Sequence, residues 1–182
     1  MAHVIGSIEA EYQRYQKLGE GAIGQLGEAE LCQKPTGGGN SVATIVWHLA
    51  GNLESRFTDF LSTDGEKPWR DRESEFLPRN VAVAEVISKW NKGWQALFSA
   101  IRGLTDSQLD TTVVIRGQPL TVCEALLRSL SHTAFHVGQI VFFAKSIRGA
   151  SWEYLTIPPG QSSSYNQNPT MEKAPRDLTP KK

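Results

Sequence analysis

The 182-residue sequence predicts an all-α protein, most simply a four-helix bundle. Two observations lead there. Four segments of roughly 20 to 28 residues each carry an apolar stripe at helical spacing, and such stripes are buried by packing on one another. Capping signatures, prolines and glycine clusters separate those segments.

The first helix is expected over about Val4 to Leu31, where Ile5, Ile8, Tyr12, Tyr15, Leu18 and Ile23 keep the period. Gly19, Gly21, Gly24 and Gly27 weaken its second half. After QKPTGGGN, Asn40 or Ser41 can cap a second helix running to about Leu61.

The charged stretch STDGEKPWRDRESEFLPRN (62–80) has two prolines and no sustained period, and it is long for a connection. Fully extended, it would reach about 60 Å, enough to run from one end of a bundle to the other. A third helix, about Val81 to Gly103, carries Val86, Trp90, Trp94, Leu97 and Ile101. Thr105 and Gln108 fit a short capping box, and TTVVIRGQPLT reads as a small hairpin about an Arg-Gly-Gln turn.

Thr121 and Glu124 form a second capping box and open the last helix, which runs to about Arg148. Beyond it the chain is rich in Pro, Ser, Gly and Asn and predicts an irregular flap. The expected organisation is one domain over 1–166 and a disordered tail over 167–182.

Nineteen basic residues balance 19 acidic ones without a block of either sign, so nucleic acid and anionic membrane are not expected partners. The longest apolar run, QIVFFAKSI, meets Lys145 well short of a membrane span, and no signal peptide opens the chain. The expected compartment is the cytoplasm, with Cys32 and Cys123 reduced.

The residues most suggestive of chemistry lie in SHTAFHVGQI (131–140). At about 100° per residue His132 and His136 share one side of the last helix, at the border of its apolar stripe and on the flank of Gln139. His48 lies off the stripe of its own helix, beside Asn52, Ser55 and Asp59. If the helices converge, three neutral imidazoles can grip one cation and leave a position open, as catalytic zinc sites do. The competing reading is three groove or surface histidines titrating near their ordinary value of about 6.5.

Other motifs carry less. The residues between His132 and His136 lack the glutamate of a zincin protease, and no Glu-x-x-His pair suggests a carboxylate-bridged di-metal centre. TGGGN lacks the Lys-Ser/Thr of a phosphate loop. The five tryptophans read as packing residues, with Trp69 and Trp152 as anchors for irregular segments, and Cys123 reads as a buried thiol.

VWHLAGNLESRFTDFLSTDGEKPWRDRESEF, SHTAFHVGQIVFFAKSI and WEYLTIPPGQSSSYN together resemble the DinB/YfiT-like superfamily, specifically a bacterial branch of unassigned function. The resemblance covers about residues 1 to 166. It implies an up-down-down-up bundle in which 62–80 crosses between helices two and three. It also implies a divalent metal, commonly nickel or zinc, held by His48, His132 and His136, with Asn52 and Gln139 as supporting or substrate-facing residues.

Relatives of this kind are typically dimers, so the resemblance implies a homodimer. Some transfer low-molecular-weight thiols and others are regarded as hydrolases. The function expected from the resemblance is therefore a metal-dependent enzyme of hydrolase or thiol S-transferase type acting on a small molecule; the alternative is a non-catalytic dimeric module with a structural or vestigial metal site.

Overall fold

The computed structural model describes residues 4–171. The four expected helices are α1 (Val4–Ile23), α3 (Val42–Phe57), α4 (Val83–Arg102) and α5 (Val122–Arg148), joined by the short α2 (Glu28–Cys32) and followed by α6 (Ser162–Tyr165). The strands β1 (Thr112–Ile115) and β2 (Gln118–Thr121) form an antiparallel hairpin. The protein is mostly helical, with this hairpin as its sheet among the described residues.

Local chemistry sets the helix starts. Ser41 Oγ accepts the Thr44 amide at 3.2 Å, so Ser41 rather than Asn40 caps α3. Thr121 Oγ1 accepts the Glu124 amide at 3.1 Å while Glu124 Oε2 accepts the Thr121 amide at 2.7 Å, completing the capping box of α5. The first helix is shorter than expected: it ends at Ile23, and the chain turns before α2, whose Glu30 Oε2 accepts the Gly27 amide at 2.7 Å. Gly19 stays helical for a packing reason, because a Cβ there would lie 2.3 Å from Trp90 Cη2.

Helix α1 packs on α5 and α3 on α4, and contacts of α3 with α5 and α1 with α4 join the two pairs. Their shared core includes Tyr12, Leu49, Leu53, Trp90, Trp94, Leu97, Leu126 and Ile140. Tyr12 meets Trp94 edge to face at 6.3 Å, and its hydroxyl donates to the Leu126 carbonyl at 3.0 Å, tying α1 to α5.

The segment between α3 and α4 is laid down by its own polar groups. Gly65 donates to the Val114 carbonyl at 2.8 Å, and Asp64 accepts the amides of Arg116 and Gly117 at 2.8 and 2.7 Å. Those two residues form the hairpin turn with positive φ of 55° and 70°. The segment therefore docks on the hairpin.

After α5, Trp152 is buried, and Gln25 and Glu153 exchange hydrogen bonds of 2.8 and 2.9 Å that fold the chain back over α1. Trp69 is 56% exposed, so the expected anchoring role falls to Trp152 alone. Of the tail expected to be disordered, 167–171 are described and irregular, with the Met171 amide donating to Tyr165 Oη at 2.6 Å; residues 172–182 lie outside the described chain. Cys32 and Cys123 are unpaired and half-buried. Among the described residues no helix is long and apolar enough to cross a membrane.

Candidate metal centre

His48 projects from the middle of α3 and His132 and His136 from successive turns of α5. Their Nε2 atoms converge: His132 Nε2 lies 3.3 Å from that of His48 and 3.1 Å from that of His136. One potential ligand atom from each residue lies within 4.8 Å of the other two.

The two separations at His132 fit a shared cation. Nitrogens about 2.0–2.1 Å from one ion stand about 3.3 Å apart at tetrahedral angles and about 2.9 Å apart at right angles.

The proton inventory favours the same conclusion. His48 Nδ1 lies 2.9 Å from Glu75 Oε2, and His136 Nδ1 lies 2.9 Å from Gln139 Oε1. Both partners are acceptors, so these imidazoles carry their proton on Nδ1 and turn an Nε2 lone pair inward. His132 Nδ1 is buried without a partner. Whichever nitrogen of His132 holds the proton, one proton can bridge only one of the two inward gaps, and a cation satisfies all three lone pairs at once.

Electrostatics keep the two α5 rings neutral. Burial first, then the neighbouring His136 and His48 and the cations Arg70 and Arg56, push His132 down to about 3. Burial also lowers His136; the Gln139 hydrogen bond opposes that shift and His48 adds to it. At neutral pH these two rings are unprotonated, the form in which imidazole ligates a metal.

Sequence reading missed Glu75. It sits on a single 3₁₀ turn, Glu73–Phe76, inside the connecting segment and is buried against α3. Arg70 grips it with two hydrogen bonds, Nε to Oε1 at 2.8 Å and Nη2 to Oε2 at 2.9 Å. Burial pulls this carboxyl upward, but the hydrogen bonds from His48 and Arg70 and the charge of Arg70 outweigh it and hold it ionised.

Gly51 makes the arrangement possible, since a Cβ there would fall 2.2 Å from Glu75 Oε1. Phe76 packs its ring 4.7 Å from that of His48. Covered in this way, His48 is 6% exposed rather than open to a groove.

Beside the cluster lies a cavity of about 400 Å³, walled by α3, the connecting segment, the hairpin and α5. Asn52, one turn beyond His48, lines it with His48 and His132. Gln139 instead supports His136 from behind. Among the described residues, the chain after α5 contributes none to the lining.

Fold and site together define a mostly helical protein with three convergent histidines able to hold a metal ion. The chain belongs to the family described as Protein of unknown function (DUF1572), whose model matches residues 2–161. No curated protein matches it.

Proposed function

We propose that this protein is a DinB/YfiT-like divalent-metal protein whose ion is held by His48, His132 and His136, and that it is a metal-dependent enzyme of hydrolase or thiol S-transferase type. The observation that carries the reading is the convergence of the three Nε2 atoms with Glu75 behind His48, the carboxylate–histidine–metal arrangement of functional metal sites. The packing of α1 on α5 and α3 on α4, with the long segment 58–82 joining α3 to α4, supports the up-down-down-up bundle. An all-imidazole donor set suits nickel or zinc.

An ion held by His48, His132 and His136 would supply Lewis acidity beside the cavity that His48 and His132 line. The chain supplies the rest. Glu75 and Gln139 keep the Nδ1 protons of His48 and His136 and fix the planes of both rings. Asn52 offers an amide to a small molecule in the cavity of about 400 Å³ beside the histidines. Two unpaired cysteines accord with a cytoplasmic protein.

A second reading, a non-catalytic dimeric module, draws on two observations. Among the described residues no aspartate or glutamate lines the cavity, and Glu75 is already committed to His48 and Arg70. Leu127, Phe135 and Phe142 stand 49%, 63% and 78% exposed along α5, an apolar stripe suited to a second copy of the chain.

Elemental analysis of untagged protein purified without added metal tests the centre. One divalent ion per chain is expected, and His132→Ala should lose it while the helical signal persists; full metal content in that variant overturns the assignment. Turnover of thiol–electrophile pairs, simple esters or amides that disappears in His48→Ala supports the enzyme. Chelation that lowers thermal stability with no turnover supports the module.

A further inference from the structure

The cavity beside the histidines is chemically one-sided. Its charged lining consists of Arg56, Arg70, Arg72, Arg116 and Arg128, with no acidic side chain among the lining residues. Most of these cations are compensated from behind. Arg70 is paired with Glu75, Arg72 with Glu73, and Arg56 and Arg116 share Glu66, with Asp64 close to the same pair.

Arg128 is the exception: among the described residues no acidic side chain pairs with it. Glu124, one turn away on α5, spends its carboxylate on the Thr121 cap. The exposed Arg128 also stands one helical turn before His132, about 6 Å along the axis. Between these polar features the wall is apolar, formed by Phe57, Phe60, Ile115 and Leu120.

A lone guanidinium, an apolar wall and a cluster of nitrogen donors define a ligand with three matching parts. The geometry points to a small organic anion as the occupant: its carboxylate or phosphate is held by Arg128, its apolar body lies along Phe57, Phe60 and Leu120, and its far end reaches toward His132. Arg presents parallel N–H groups that fit either head group. The volume, about 400 Å³, is that of a small-molecule site. The direction of the far end rests on the metal-site reading above, whereas the seat of the anion at Arg128 does not.

The test is calorimetric titration of the full chain, freed of metal with a chelator at pH 7.5, with octanoate, octyl phosphate and the uncharged octanamide. At least one of the two anions is expected to bind ten-fold or more tightly than octanamide, and the tighter one identifies the head group. Arg128→Gln should remove that preference, and Arg128→Lys should keep a large part of it. The inference is overturned if octanamide binds as well as both anions, or if Arg128→Gln keeps the full preference.

Metal content measured on the same preparations before chelation separates the two readings. Anion preference without metal binding removes the metal centre alone, and metal binding without anion preference removes the anion seat alone.

Discussion

His48 and Glu75 are 27 positions apart in the chain, and their side chains meet at 2.9 Å in the protein interior, the carboxylate accepting a hydrogen bond from the imidazole Nδ1–H. The contact joins a helix to a connecting segment and turns the His48 Nε2 lone pair toward His132.

Removing that carboxylate should weaken metal binding without touching a ligand. Glu75→Gln is expected to lower the affinity for zinc by about 10- to 100-fold, the usual cost of losing such a partner. Competition with a chromophoric chelator measures it, with the far-UV circular dichroism unchanged. Affinity equal to wild type would show that Glu75 does not tune the cluster.

Gly51→Ala sets two effects against each other. Alanine favours a helix over glycine by about 0.5–1 kcal/mol, but its methyl group would lie 2.2 Å from Glu75 Oε1. Overpacking of this kind costs about 1–3 kcal/mol, so the clash should win. Urea denaturation is expected to show net destabilisation together with weaker zinc binding; a more stable variant would mean that Glu75 moves aside freely.

Acid stability should depend on Glu54. Burial raises this carboxyl, but hydrogen bonds and charge from Lys89 and Lys92, at 2.6 and 2.7 Å, outweigh burial and hold it below its ordinary value of 4.5. Its folded value is thus lower than its unfolded one, and the stabilisation is present above pH 4.5 and lost as pH falls through the folded value. Glu54→Gln should therefore be less stable than wild type at pH 7, with the gap closing toward pH 3. Denaturation midpoints across that range provide the check, and a constant gap would contradict it.

Tyr12→Phe removes the buried hydrogen bond from α1 to the Leu126 carbonyl and leaves the ring packing in place. A loss of about 1 kcal/mol is expected from thermal or urea unfolding. No loss would mean that the hydroxyl contributes nothing net to the joint between α1 and α5.

Much of this architecture was legible in the sequence because periodicity and caps are local. Thr121 and Glu124 marked the start of α5, and the Trp90, Trp94 and Leu97 stripe marked α4. The His132–His136 pair was legible as well, since one turn of helix places both rings together.

The meeting with His48 was not legible from spacing, because it depends on how α3 and α5 pack; the family resemblance supplied that grouping. Glu75 escaped for a different reason. It stands among Asp71, Glu73 and other charges in a stretch without a period, and only the docking of that stretch on α3 separates it from its neighbours. The end of α1 was misplaced because the apolar pattern continues through Leu26 and Leu31 across a real break.

Because the acid behind His48 rides on a loosely patterned crossing strand of chain rather than on a core helix, the electron-donating power of that ring can be altered independently of the scaffold. Exchanging a few positions around Glu75 would alter the donor strength of His48 while the ring-bearing helices stay as they are, which makes this stretch the natural place to adjust the affinity of the proposed site.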